Sequence, residues 1–157
     1  MSRGWLLLLA CTLTPGRAGE APDAALARFA VIEVAPVETS IYVGRVTLAA
    51  TPFLHQGGSF AASYSAKVFP FFFSSERGSL RIDLADEALR RLLGGAPVDF
   101  SGTAVRTDGL QRLVEGRATA TGPAGGTLKV WLHVNRHLVL IFDTTYRLRA
   151  APTPSGR

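Results

Sequence analysis

The chain has 157 residues, a formal net charge of +5 and a single cysteine, Cys11. That length can bury one hydrophobic core without a covalent staple, and a lone cysteine excludes an intrachain disulfide and any cysteine-cluster metal site. The 17 basic and 12 acidic side chains are scattered, with no basic run and no aromatic-basic stripe, so no nucleic-acid surface is expected.

The N-terminus reads as an export signal. Arg3 supplies positive charge, Trp5 to Leu13 form an apolar stretch, and Pro15-Gly16 break any helix. Gly16 and Ala18 place small side chains where a cut after Ala18 needs them. The apolar run is shorter than the ~20 residues that span a bilayer. A second reading competes for the same residues: Leu8-Leu9-Ala10-Cys11 looks like a bacterial lipobox, which would acylate Cys11 and tether the chain to a membrane. The expected organisation is therefore a signal peptide over 1–18, a linker over 19–25, one domain over 26–149 and a Pro-rich tail over 150–157. The expected location is periplasmic or extracellular, free or lipid-anchored. Without Arg3 and Arg17 the exported part keeps 15 basic and 12 acidic residues, near +3.

From residue 29 onward, period-2 alternation dominates. Phe29–Val34 is the first strand candidate. Ile41–Ala49 is the second, with Tyr42, Val46 and Leu48 on one face. Gly57-Gly58 marks a turn. Phe60, Ala62, Tyr64, Ala66 and Val68 then alternate with small, polar or charged neighbours, and Pro70 ends the strand. Leu80, Ile82 and Leu84 alternate with Ser79, Arg81 and Asp83. A helix over about 84–93 follows, because Ala85, Ala88, Leu89, Leu92 and Leu93 form one apolar stripe. Asp83 is the expected cap and Gly94 the stop. Val98–Val105 and Leu110–Thr121 form a hairpin around Asp108-Gly109. Leu128–Val134 and Leu138–Leu148 form another around Asn135-Arg136.

This pattern predicts a mainly β fold: an antiparallel barrel or strongly curved sheet of about eight strands with one short helix, a barrel being the economical way to remove sheet edges. A two-sheet sandwich is the alternative. If the last hairpin has a two-residue loop, Trp131 lies opposite Leu140 and shares a face with Leu138, Phe142 and Tyr146. With Tyr42, Phe60, Tyr64 and Phe100, these residues make an aromatic-rich inner surface. Such a surface either fills a small barrel or lines an apolar cavity. The candidate ligand-binding residues are thus Tyr42, Phe60, Tyr64, Phe100, Trp131, Phe142 and Tyr146, and the candidate ligand is an apolar lipid.

Several stretches resemble the YceI-like family of exported, lipocalin-like barrels. These are Gly58-Ser59-Phe60, the Ser-rich turn and strand Ser74 to Ile82-Asp83 leading into the helix, Pro97-Val98-Asp99-Phe100, and the return strand with Gly116 and Gly122 six apart. The similarity covers about residues 40–134. It implies a barrel whose lumen takes up a polyisoprenoid or other long-chain lipid. The family's Arg-Asp-x-His-Leu stretch is absent, and the C-terminal part is shorter.

Chemistry beyond binding finds little support. No phosphate-cradling glycine loop precedes a helix, no serine sits in a nucleophile elbow, and Asp83, Asp86 and Glu87 read as helix-start residues. The three histidines, His55, His133 and His137, do not make a ligand set. No enzyme activity, cofactor or metal is expected. Asp143 interrupts an apolar strand; it either faces solvent or pairs with an arginine on the next strand. Phe69-Pro70-Phe71-Phe72-Phe73 is the most unusual stretch. It either plugs one end of the barrel or stands out as an apolar lip that meets a membrane or a protein.

Overall fold

A computed structural model describes residues 31–150. The export signal, Cys11, the 19–25 linker, the first two residues of the Phe29–Val34 strand and tail residues 151–157 lie outside the described residues.

Among the described residues ten strands run in chain order as β1 (Val31–Val34), β2 (Val37–Ile41), β3 (Gly44–Ala50), β4 (Phe53–His55), β5 (Ser59–Phe69), β6 (Glu76–Asp83), β7 (Val98–Arg106), β8 (Gln111–Gly122), β9 (Gly125–His133) and β10 (Val139–Arg149). One α-helix, α1 (Asp86–Leu93), lies between β6 and β7. Every pairing is antiparallel, and the order β4-β1-β10-β9-β8-β7-β6-β5 closes because β5 pairs with β4 on one side and β6 on the other. The result is a closed eight-stranded antiparallel barrel.

Ten strands make eight staves because two staves are broken. Pro36 separates β1 from β2, and Pro52 separates β3 from β4. A proline cannot donate to a ladder, so each break leaves a bend rather than a continuous strand. The two bends lie side by side around one surface notch. Below them, β1 pairs with β10 over Val34↔Tyr146 and Val31↔Arg149. Above them, β2 pairs with β3 and stays beside β10 without a ladder to it. The last links there are Ala35 N to Thr145 O at 3.0 Å, and Thr144 Oγ1 donating to Ala35 O at 2.9 Å. The barrel wall thus carries a seam between β2 and β10.

The expected strand Ile41–Ala49 is corrected to a hairpin. Ile41 pairs with Gly44 across a two-residue turn, Tyr42-Val43. Neither turn residue has a positive φ, so none of the usual Asn-Gly chemistry marks it. The expected Asp83 cap is also corrected. Asp83 ends β6 opposite Ser101, and the cap position is Ala85, which has no side-chain cap hydrogen bond. The acidic first turn, Asp86 and Glu87, favours the helix N-terminus in its place.

The interior divides into two packed clusters. The lower one contains Phe53, Phe60, Leu84, Leu89, Leu92, Val98 and Tyr146, with α1 as its floor. The upper one contains Val46, Tyr64, Ala66, Ala104, Val114, Leu132, Leu140 and Phe142. The four turns at the upper end, 42–43, 70–75, 107–110 and 134–138, lie opposite the helix.

Candidate functional site: the barrel lumen

Each stave that reaches the lumen does so by strand alternation. Phe60 and Tyr64 on β5, Leu80 and Ile82 on β6, Phe100 on β7, and Phe142 and Tyr146 on β10 all project inward. They surround a cavity of about 100 Å³ with an almost wholly apolar lining. Leu84 and Leu92 close it from the helix side. Ala35, Val37 and Thr144 also line it, so it reaches the wall at the seam between β2 and β10. Gly116 stands opposite Phe100 in the ladder. A Cβ there would come within 2.1 Å of the Phe100 ring, so the glycine makes room for the ring.

Five of the seven expected lining residues therefore face the lumen: Phe60, Tyr64, Phe100, Phe142 and Tyr146. Phe60 and Phe142 are each 1% exposed. The other two are corrected. Tyr42 sits in the β2–β3 turn and is fully exposed. Trp131 faces outward, because the last hairpin is longer than two residues. Its loop spans 134–138, where Asn135 Oδ1 accepts hydrogen bonds from the His137 and Leu138 amides at 2.8 and 2.9 Å. Trp131 then pairs with Ile141 instead of Leu140, and a one-residue slip turns a side chain to the opposite face. Leu128 and Val130 line the cavity and Leu132 joins the upper cluster in its place.

Above the cavity lies a polar mouth not anticipated from the sequence. The Tyr64 ring lines the lumen while its hydroxyl donates to Glu76 Oε1 at 3.1 Å. Arg112 Nη2 donates to Glu76 Oε2 at 2.8 Å, and its Nη1 donates to the Val134 carbonyl at 2.7 Å. Arg106 approaches the same carboxylate at 3.7 Å. The side chains of Glu76 and Arg112 are only 9% and 10% exposed. Removing one partner of such a buried pair costs about 3–5 kcal/mol because the other charge is stranded. Burial, followed by the Glu76 charge and hydrogen bond, pushes the Tyr64 phenol up to about 12. Strand parity held the clue: Arg112 shares its face of β8 with Val114 and Ala118.

The remaining candidates are peripheral. Asp143 faces solvent and pairs with Lys129 at 3.6 Å, a lysine rather than the expected arginine. His133 contacts Glu115 at 2.9 Å. Among the described residues no group of three or more His, Cys, Asp or Glu side chains is placed to hold a metal ion. No helix among them is long and apolar enough to cross a membrane. Phe69, Phe71, Phe72 and Phe73 are 49%, 36%, 67% and 87% exposed, so the stretch forms a lip rather than a plug.

No protein-family model, no curated protein and no solved structure matches the chain.

Proposed function

We propose that this chain is an exported, non-enzymatic binding protein that holds the end of an apolar chain, acyl or isoprenoid, in its barrel lumen. The observation that carries this reading is the apolar cavity itself, floored by α1 and walled by six aromatic side chains. Burying hydrocarbon there gains about 25 cal/mol per Å² of apolar surface, before the costs of ordering. A dry apolar cavity of ~150 Å³ is enough to take up benzene, whereas drug-sized ligands need roughly 300–1,000 Å³. The lumen thus fits a terminal segment, with the remainder of the chain leaving through the seam beside Val37 and Thr144. The YceI-like order of turns and strands supports the same ligand class, and the apolar N-terminal stretch supports export, ending in cleavage after Ala18 or acylation at Cys11.

Mass spectrometry of an organic extract from natively purified protein tests this reading, together with uptake of a fluorescent fatty acid. A co-purifying single-chain lipid, displaced by the fluorescent one, is the expected result. A lipid-free extract with no uptake would discard the reading.

The small cavity volume favours a second reading, in which the two apolar clusters are simply a core and the barrel is a ligand-free envelope module. Under that reading the cavity is a tolerated packing defect, and filling it raises stability without touching any binding.

A further inference from the structure

The two ends of the barrel differ sharply. Eleven large apolar side chains are conspicuously exposed among the described residues. Ten of them lie within four residues of the upper turns, and only Leu54 lies elsewhere. The most prominent are Tyr42, Val43, Phe72 and Phe73, at 102%, 69%, 67% and 87% exposure. They come from two turns that touch. Arg45 pairs with Phe69 in the β3–β5 ladder, with its guanidinium 5.4 Å from the ring centre. Phe69 meets Phe72 edge-on at 5.6 Å, and Phe71 meets Phe73 at 5.8 Å. The Phe69–Phe73 rings form one exposed cluster, Tyr42 and Val43 stand out from the neighbouring turn, and exposed apolar groups gathered in this way mark a contact surface.

Charge follows the same division. Within four residues of the upper turns stand six basic side chains, Arg45, Lys67, Arg77, Arg106, Arg112 and Arg136, against three acidic ones, Glu38, Glu76 and Asp108. That end therefore carries +3. The seven basic and seven acidic side chains elsewhere among the described residues cancel. Aromatic side chains at the tip with arginines behind them match a bilayer surface. Rings enter the headgroup region, and cations stay at the level of anionic phosphates. Arg45, Arg106 and Arg112 are paired with Glu38, Asp108 and Glu76, so the net charge of this end is offered by Lys67, Arg77 and Arg136.

We infer that the upper rim, centred on Tyr42, Phe72 and Phe73, docks the barrel end-on against an anionic lipid bilayer. This contact does not depend on an occupied lumen, so it stands or falls separately from the lipid-binding reading. The mouth and the upper part of the β2–β10 seam would face the membrane in this orientation.

The test is flotation of the full chain with vesicles of phosphatidylcholine alone and of phosphatidylcholine mixed with phosphatidylglycerol. It compares the unaltered chain with F72S/F73S and with R77Q/R136Q. All three share the same N-terminal segment and Cys11, so any binding through these is common and drops out of the comparison. The unaltered chain is expected to bind the anionic vesicles more tightly than the neutral ones, and less tightly as salt rises. F72S/F73S should weaken binding to both vesicle types by about tenfold or more. R77Q/R136Q should weaken binding to the anionic vesicles only. All four side chains are exposed, and an unchanged melting temperature would show that the fold is intact. Equal binding by F72S/F73S and the unaltered chain would overturn the inference. So would equal affinity for the two vesicle types. Absence of vesicle binding, with a dimer that F72S/F73S dissociates, would give the surface to a second copy and likewise overturn it.

Discussion

Tyr64 joins the two halves of the candidate site, with its ring in the apolar lumen and its hydroxyl on Glu76. That position makes it a reporter of how well the mouth is closed. Its phenol is pushed up to about 12, whereas a tyrosine in an unfolded chain titrates near 10. Between those values the unfolded chain binds fewer protons than the folded one. The stabilisation is therefore fully present below pH 10 and is lost as pH rises toward 12. Burial moves Tyr146 in the same direction. Denaturant titrations across pH 10 to 12 should show stability falling with pH, and Tyr64→Phe should flatten that fall without abolishing it. At neutral pH the same substitution should cost about 1.5–3 kcal/mol, the worth of one hydrogen bond to the charged Glu76.

Helix α1 forms the lumen floor, and it stops at a defined point. The Ala96 amide donates to the Arg91 carbonyl and the Gly95 amide to the Leu92 carbonyl, both at 3.0 Å. This closure puts Gly95 at φ 89°, a conformation that a side chain adopts at a cost of about 1–2 kcal/mol. Nothing lies within 4 Å of a Cβ placed at Gly95. Gly95→Ala should therefore lower stability by that backbone cost alone, readable by thermal or denaturant unfolding, with the strand signature in circular dichroism unchanged. Turns that carry their own chemistry, Gly57-Gly58 and Asp108-Gly109, are legible from the sequence because their glycines adopt the left-handed region. The Tyr42-Val43 turn is illegible for the opposite reason. Its backbone uses ordinary angles, and its residues have high strand propensity.

At the scale of the whole barrel, filling the lumen separates a binding site from a packing gap. Ala118 is 6% exposed and lines the cavity, so Ala118→Leu sends three more carbons toward the free space. Stability should stay within about 1 kcal/mol of the unaltered chain, since added volume meets space and not packed atoms. Uptake of a fluorescent fatty acid should be abolished. Stability raised while no uptake is measurable in either chain would support the ligand-free module instead.

Alternation by itself determined the fold class, the aromatic character of the interior and five of its lining residues. Phe60, Tyr64, Phe100, Phe142 and Tyr146 point inward because strand parity leaves a side chain only two directions, and burying rings is favourable. Tertiary structure alone decided the rest. Which parity β9 presents to the lumen depends on a five-residue loop organised by the Asn135 side chain, and that loop moved Trp131 outside. The Glu76–Arg112 pair forms between residues 36 apart in the chain, on β6 and β8, which flank β7 without pairing, so their side chains meet only across the inner face of the curled sheet. The aromatic rim likewise needs the β2–β3 turn and the Phe69–Phe73 stretch to arrive at one end of the barrel. Local pattern records which way a side chain points, but not which distant side chain it will meet there.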